Sequence, residues 1–195
     1  MRKIYSILVL FIIHLFIGCS SESNDSIDDT DIVMRFEILN NFIYEGVPLT
    51  DKYINNDGSI YYSISGLVQR VGSNPLFQQD SYVELSMGFT LDSEIQVNQI
   101  IQIQNFNSIG GRFPYNDNNF SGIDFCALEL EKQQSSTGFL KITEITEDYI
   151  RGEFQFNNLN NTGGVNPLTS QPCPNYPSQQ NYNIINGSFT AFNPF

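Results

Sequence analysis

Short apolar segments separated by turn residues make up most of this sequence, and no long segment shows the 3.6-residue apolar period of a helix. In residues 32–38 every second position is apolar, with Arg35 and Glu37 between, which is the period of a strand with one buried face. Asp57-Gly58 is a strong turn dipeptide and precedes another such segment, residues 59–68. The pattern therefore predicts an all-β domain.

Further strands are predicted downstream, at residues 82–91, 95–103, 138–146, 149–156 and 182–192. Asp92-Ser93-Glu94 and Glu147-Asp148 supply turns between them, and a loop rich in Asn, Gly and Pro is predicted from Asn157 to Asn181. This spacing favours an antiparallel β-sandwich or a β-barrel, with a lipocalin-like barrel as the alternative.

The last two predicted strands, residues 149–156 and 182–192, are expected to form the core sheet. One buried face is expected from Ile150, Gly152, Phe154 and Phe156, and another from Ile185, Gly187, Phe189 and Ala191. Glycine inside a strand marks a bulge or a close approach of another group, so both interior glycines are expected beneath large aromatic rings.

The N-terminus has the pattern of an export signal. Arg2 and Lys3 precede an apolar run over residues 4–17, shorter than the about 20 residues that cross a bilayer. The run ends at Gly18-Cys19, which resembles a bacterial lipobox. The resemblance implies a lipoprotein signal peptide over 1–18 and a lipid on Cys19, held in the membrane by about 0.8 kcal/mol per buried methylene. The alternative is an ordinary cleaved signal peptide.

Five acidic residues and almost no apolar ones lie in residues 20–31, so residues 19–31 are expected to be a flexible acidic tether. Residues 32–195 then form a single β domain. Without residues 1–18 the chain has 7 basic and 21 acidic residues, a net charge of −14. Such a surface repels nucleic acids. We expect an outer membrane lipoprotein facing the periplasm or the cell surface, with the membrane as a partner through its lipid.

The C-terminal strands carry a resemblance. Gly152-Glu-Phe-Gln-Phe156 and Ile184-Ile-Asn-Gly-Ser-Phe189, together with the lipobox, resemble a family of Bacteroidota all-β lipoproteins whose members end in G-x-F-x-F and I-x-N-G-x-F strands. The resemblance covers roughly the last 60 residues. It implies an all-β cell-envelope lipoprotein and implies no activity.

The one histidine, His14, lies in the predicted signal peptide, so the expected mature chain has no imidazole. This excludes Ser-His-Asp and Cys-His hydrolases and His-ligated metals. Catalysis by two facing carboxylates remains open, as in glycoside hydrolysis. The glutamates Glu84, Glu129, Glu131 and Glu153, however, alternate with apolar residues as on a solvated sheet face. The prediction is that the protein is not an enzyme and needs no cofactor.

The one candidate metal site is a weak match to a calcium-binding loop. Asp117, Asn119, Ser121 and Asp124, with Gly122, resemble the start of an oxygen-ligand calcium loop. The twelfth position is Leu128 instead of a carboxylate, and the same residues also suit an ordinary turn.

Aromatic residues in loops are the candidates for recognition of a protein or glycan partner. The set consists of Phe106, Arg112, Phe113, Tyr115, Phe120 and Tyr176. Cys126 and Cys173 are a pair in an oxidising compartment and predict a disulfide that would fix the second loop near the first. The function expected is non-catalytic binding or a structural role, with a lipocalin-like carrier or a carboxylate-dependent glycan hydrolase as alternatives.

Overall fold

The computed structural model describes residues 32–38, 42–71, 83–113, 128–164, 170–173 and 179–194. Over these residues the chain is almost entirely β, with a single 3₁₀ turn at Ile103–Asn105. The ten strands in the described residues are β1 Val33–Ile38, β2 Phe42–Ile54, β3 Ile60–Arg70, β4 Val83–Leu91, β5 Ile100–Gln102, β6 Phe106–Phe113, β7 Leu128–Glu131, β8 Thr137–Ile145, β9 Tyr149–Asn161 and β10 Asn181–Phe192. The all-β prediction is confirmed.

Eight of these strands close into an antiparallel barrel. Around the ring they follow the order β10, β1, β2, β3, β4, β6, β7 and β9, and β9 pairs back onto β10. The sequence left a sandwich and a barrel open, and the β9–β10 ladder that closes the ring selects the barrel. The Asp57-Gly58 turn joins β2 to β3 as predicted, with Gly58 at φ 86° and the Ser59 backbone N–H donating to Asp57 Oδ1 at 3.0 Å.

One edge of β9 carries two different strands. β8 pairs along β9 from Ile150 to Asn157, and β7 pairs only with Asn160 and Asn161. Asn158, between the two ladders, has a φ of 59°, and the register of β9 against β10 shifts at this point. The bulge therefore marks where β8 ends and β7 takes over, and the short β5 pairs with β8.

Side chains from the β7–β8 connection hold this bulge. Ser136 Oγ and Gln133 Nε2 both donate to the carbonyl oxygen of Asn158 at 2.8 Å. The Asn158 side-chain amide donates to Ser135 Oγ at 2.8 Å, and its backbone N–H donates to Asn183 Oδ1 at 2.9 Å. The prediction that Asn157 begins a loop was wrong, because the asparagines here continue β9 to Asn161 and help to close the barrel.

Aromatic rings fill the described interior in one continuous row. Successive ring centroids are 5.2–6.1 Å apart, in the order Tyr44, Phe36, Phe154, Phe156, Phe106, Phe89 and Tyr62. These rings come from six strands and belong to a single buried cluster. Offset and edge-on ring pairs add about 0.5–1.5 kcal/mol each beyond the burial of their area. The predicted inward face of residues 32–38 is confirmed, since its four apolar side chains are at most 7% exposed.

Each of the two interior glycines lies against an aromatic ring of the paired strand. Gly187 is paired with Phe154 and Gly152 with Phe189 in the β9–β10 ladder. A Cβ atom added at Gly187 would lie 2.5 Å from two carbons of the Phe154 ring, and one at Gly152 would meet the Phe189 ring. Both predicted close approaches are confirmed.

Two details of the predicted strands were wrong. Ile185 was expected inside, but the register shift at Asn186, which has a φ of 52°, moves Ile184 to the buried face instead. Residues 95–103 were expected to be one strand, but only Ile100–Gln102 is β and the chain then turns into the 3₁₀ turn.

Residues 92–99 instead cross from β4 to β8 at one end of the barrel. Ile95 is buried, and its N–H donates to the hydroxyl of Tyr62 at 3.0 Å. That hydroxyl donates to Glu94 at 2.9 Å, and Lys52 Nζ bonds both carboxylate oxygens of Glu94 at 2.6 and 2.7 Å. The segment is tied to β8 through Ile142, whose backbone N–H donates to Gln99 O at 3.0 Å.

Candidate functional site

A shallow groove lies on the outer surface where β4, β6 and β7 run side by side. The ladders place Glu84, Arg112 and Glu129 in one row across the three strands. A second row contains Ser86, Gly110 and Glu131. Because successive side chains of a strand alternate between faces, the neighbours of these residues, such as Leu85 and Leu130, are buried inside the barrel.

Glycine creates the space in this groove. A Cβ atom at Gly110 would have nothing within 4 Å, so the surface above it is open. Gly111 follows it and lines the groove with its backbone, since its side-chain position faces the interior like those of Leu85 and Leu130, with which it pairs. The groove has a volume of about 300 Å³, which is at the lower end of the range for small-ligand sites.

The charge of the groove is mixed, with an acidic excess. Its rim carries the carboxylates of Glu84, Glu129 and Glu131 around the guanidinium of Arg112. The Arg112 Nε lies 3.9 Å from a carboxylate oxygen of Glu129, and both side chains are 42–45% exposed. An exposed pair at this distance contributes about 0–1 kcal/mol to stability. The groove thus presents solvated hydrogen-bonding groups of both kinds, donors on Arg112 and acceptors on the glutamates.

The predicted recognition residues do not form one site in the described structure. Arg112 lies in the groove. Phe106, predicted to be a loop aromatic, is 2% exposed and packs edge-on between Phe89 and Phe156, so its assignment as a binding residue was wrong. It follows the 3₁₀ turn as the first residue of β6, where the strand places its ring inside the barrel.

Three more candidates, Tyr115, Phe120 and Tyr176, lie outside the described residues. Phe113 is described only as the last position of β6, where its backbone pairs with Leu128 at the start of β7. Phe113 and Leu128, the described residues on either side of 114–127, therefore lie next to the Arg112–Glu129 pair at one end of the groove.

The calcium candidates Asp117, Asn119, Ser121 and Asp124 also lie outside the described residues. Within the described part of the chain, no three or more His, Cys, Asp or Glu side chains are grouped so as to hold a metal ion.

Cys173 lies close to the groove's edge. It is buried, with 6% exposure, and its N–H donates to Gly164 O at 2.9 Å. Thr162, two residues before Gly164, donates its backbone N–H to Glu129 O at 2.8 Å. Cys126 is outside the described residues, so its pairing with Cys173 stays a prediction.

An exposed apolar surface on β2 and β3 was missed by the sequence reasoning. Val47 and Leu67 face each other across the ladder and are 58% and 45% exposed, and Leu49 is 55% exposed. The rings of Tyr53 and Tyr61 stack farther along the same face, with centroids 4.6 Å apart. In this part of β2 the inward positions hold small or polar residues and the outward positions apolar ones, which reverses the usual pattern.

The charged cluster at the barrel end has a structural role. Burial raises the pKa of Tyr62 to about 12. The hydrogen bond from Lys52, followed by that from Tyr62, lowers the pKa of Glu94. Both effects keep the tyrosine neutral and the carboxylate charged at neutral pH, which is the state that fastens residues 92–99 to the barrel.

No helix among the described residues is both long and apolar enough to cross a membrane. Comparisons with protein-family models, with curated proteins and with solved structures found no match for this chain.

Proposed function

We propose that this protein is a cell-envelope lipoprotein of the outer membrane, anchored through Cys19, whose barrel binds a protein or glycan partner without catalysis. The signal-like run over residues 4–17 and the lipobox-like Gly18-Cys19 support the anchor. The similarity of its C-terminal strands to Bacteroidota lipoproteins supports the same assignment.

The observation that carries the binding role is the glycine-floored groove between β4 and β7. It is open to solvent, and it combines Arg112 with carboxylate acceptors that suit the hydroxyl groups of a sugar or the polar groups of a peptide. Tyr115 and Phe120 lie in sequence between Phe113 and Leu128, which border the groove, and they remain the predicted aromatic stacking residues.

A binding site on the outside is favoured over the carrier alternative by the packing of the interior. In the described residues the buried apolar side chains form one contiguous cluster with exposures of 0–7%. A lipocalin-like carrier needs an open cavity in the barrel mouth. The carrier hypothesis predicts that the purified protein binds a fluorescent fatty acid, whereas the groove hypothesis predicts no such binding.

The disulfide between Cys126 and Cys173 belongs to the same proposal. It would fix the loop around Cys173 to the segment that borders the groove, since Leu128 and Glu129 already lie beside residues 162–164. In the chain-entropy model a loop of this length stabilises by roughly 4 kcal/mol. Alkylation without reductant that labels both cysteines would refute it.

The groove is tested by filling it. Gly110→Leu places a side chain into open space, and Arg112→Ala removes the central donor. Glu153→Gln is the control, since it changes an exposed charge on β9 away from the groove. We expect both groove variants to lose binding on a glycan array, or in cross-linking to envelope proteins on cells, by about tenfold, while the control keeps it. Equal binding by all three would remove the groove as the site.

The anchor is tested separately. Mass spectrometry of the mature N-terminus should find a lipid on Cys19, and Cys19→Ala should release the protein from membranes. An unmodified Cys19, or a chain cleaved elsewhere, would contradict the lipoprotein assignment.

A further inference from the structure

Apolar side chains exposed on the described surface are concentrated on one side of the barrel. The large ones that are at least 45% exposed include Val47, Leu49, Tyr53, Ile54, Leu67 and Val71 on or next to β2 and β3, with Phe192 at the end of β10. The remaining two lie elsewhere, Val97 on the segment before β5 and Ile100 as the first residue of β5. A soluble surface seldom gathers apolar side chains in this way without covering them.

Phe192 joins this surface because β1 is short. Beyond the start of β1, β2 reaches β10 directly, and Thr50 Oγ1 donates to the carbonyl oxygen of Phe192 at 2.6 Å. Leu49 therefore lies beside the end of β10, and Val47 lies beside the start of β1, since Gly46 pairs with Met34. We call the set Val47, Leu49, Leu67 and Phe192 the apolar face.

The chain enters the barrel at this same place. Ile32 precedes β1 and is the residue at which the described domain begins. The proposed lipid on Cys19 is thirteen residues earlier, so even a fully extended connection holds the barrel within about 45 Å of the bilayer. A short connection of this kind raises the effective concentration of the bilayer at the apolar face to the millimolar range.

Charge on this side is compatible with a zwitterionic surface. Glu45, the acid that precedes Val47 on the same face, is paired with Arg35 at 2.5 Å. Two exposed carboxylates border the apolar face, Asp51 after Leu49 on β2 and Glu84 opposite Leu67 on β4, where they can remain solvated at the level of the headgroups. Thr190 and Ser188, on the outward side of β10 next to the entry point, are uncharged. The strongly acidic chain as a whole is repelled by anionic headgroups, so apolar contact is the attractive force available.

We propose that the apolar face rests on the lipid bilayer in which the protein is anchored, so that the barrel lies against the membrane and the Arg112 groove points away from it. The inference rests on the proposed lipid anchor. Arg112 lies on β6, two strands beyond β3 around the ring, whereas the rim of the groove begins on β4, where Glu84 pairs with Leu67 of the apolar face. This orientation leaves the Arg112 side of the groove accessible to a partner in solution or on the cell surface.

The test uses the lipidated full chain in phosphatidylcholine vesicles. The protein contains no tryptophan, so one engineered tryptophan is a clean reporter. Leu49→Trp places it in the apolar face, and Ile100→Trp is a matched control, since the two native side chains are 55% and 54% exposed. We expect brominated lipid to quench about half of the Leu49→Trp emission and to leave the control unchanged, and Val47→Asp to abolish the quenching.

The outcomes separate the inference from the anchor. If the protein floats with vesicles but brominated lipid leaves Leu49→Trp unquenched, the membrane contact is wrong and the lipoprotein assignment stands. A concentration-dependent blue shift of this reporter without quenching would assign the face to a second copy of the chain and overturn the inference. If the protein does not float with vesicles, the anchor and the inference fall together. Circular dichroism that matches the parent chain shows that each variant is folded.

Discussion

Gly187 offers a quantitative test of the close packing between β9 and β10. An alanine Cβ there would lie 2.5 Å from two ring carbons of Phe154 and 2.6 Å from the Phe154 carbonyl oxygen, well inside the 3.5–4.0 Å of an ordinary contact. The ring cannot move aside easily, because it packs between Phe36 and Phe156 with centroid distances of 6.1 and 5.7 Å. Such overpacking costs about 1–3 kcal/mol.

A smaller gain opposes this cost, since alanine is favoured over glycine within a strand by about 0.5–1 kcal/mol. Because the Cβ would overlap its neighbours by about 1 Å, we take the overpacking cost at the upper end, about 3 kcal/mol. The net expectation for Gly187→Ala is then a loss of about 2 kcal/mol in the free energy of unfolding, or a Tm lower by about 4–8 °C for a domain of this size. Gly110→Ala is the matched control. Its Cβ meets nothing, so the variant should be neutral or stabilised by up to about 1 kcal/mol.

Urea unfolding followed by circular dichroism measures both variants. A double-mutant cycle with Phe154→Leu then identifies the clash. Removing the ring should recover about 1 kcal/mol of the cost of Gly187→Ala, whereas the contact with the backbone oxygen remains. A Gly187→Ala variant as stable as Gly110→Ala, or costs of Gly187→Ala and Phe154→Leu that simply add, would show that the added Cβ does not clash with the Phe154 ring.

Three further predictions concern other parts of the barrel. Tyr62→Phe leaves the buried N–H of Ile95 without its acceptor and Glu94 without a donor, so it should cost about 1–3 kcal/mol in urea unfolding. The native pKa of Tyr62 is raised above its ordinary value, so the stability of the parent chain should fall as pH rises from about 10 through 12, and this decline should shrink in Tyr62→Phe. Asn158→Ala removes two side-chain hydrogen bonds at a positive φ and should cost about 1–2 kcal/mol, whereas Asn158→Gly keeps the backbone conformation and should cost less. Phe106→Ala should cost about 3–5 kcal/mol by thermal unfolding, and a surface-like loss below 1 kcal/mol would contradict its buried position.

Alternation along single strands was the most reliable guide to the fold. The faces of residues 32–38 and of β9 follow directly from their two-residue period, because each strand has one side toward the core. The glycine positions were also predictable, since a missing side chain in a strand implies that a neighbour occupies its space.

Bulges and a reversed apolar pattern account for the parts of the fold that the sequence did not predict. The register shift at Asn186 exchanges Ile184 and Ile185, and sequence alternation cannot locate it in advance. The outward Val47 and Leu49 are as apolar as core residues, and only the placement of Tyr44 inside fixes their face. Phe106 was misassigned because Asn and Gly neighbours suggested a loop, although the strand after the 3₁₀ turn buries its ring.

For the candidate site, the sequence identified Arg112 but not the groove around it. The groove depends on which strands are neighbours, since Glu84 and Glu129 come from β4 and β7 and meet Arg112 only where these strands pair with β6. Such long-range neighbours are not encoded in any local period.

The two ladders at the edge of β9 have a consequence for how the chain folds. The β3–β4 ladder contains nine residue pairs between strands adjacent in sequence, whereas β7 meets β9 through only Leu130 with Asn161 and Glu131 with Asn160. Meanders such as β2–β3–β4 and β8–β9–β10 can form from nearby residues, whereas β1 reaches β10 only across about 150 residues of chain, so the β1–β10 ladder is the slowest to find its partner. The β7–β9 seam has the fewest residue pairs of the ladders in the ring, so amide hydrogens of β7 should exchange with solvent sooner than those of β3.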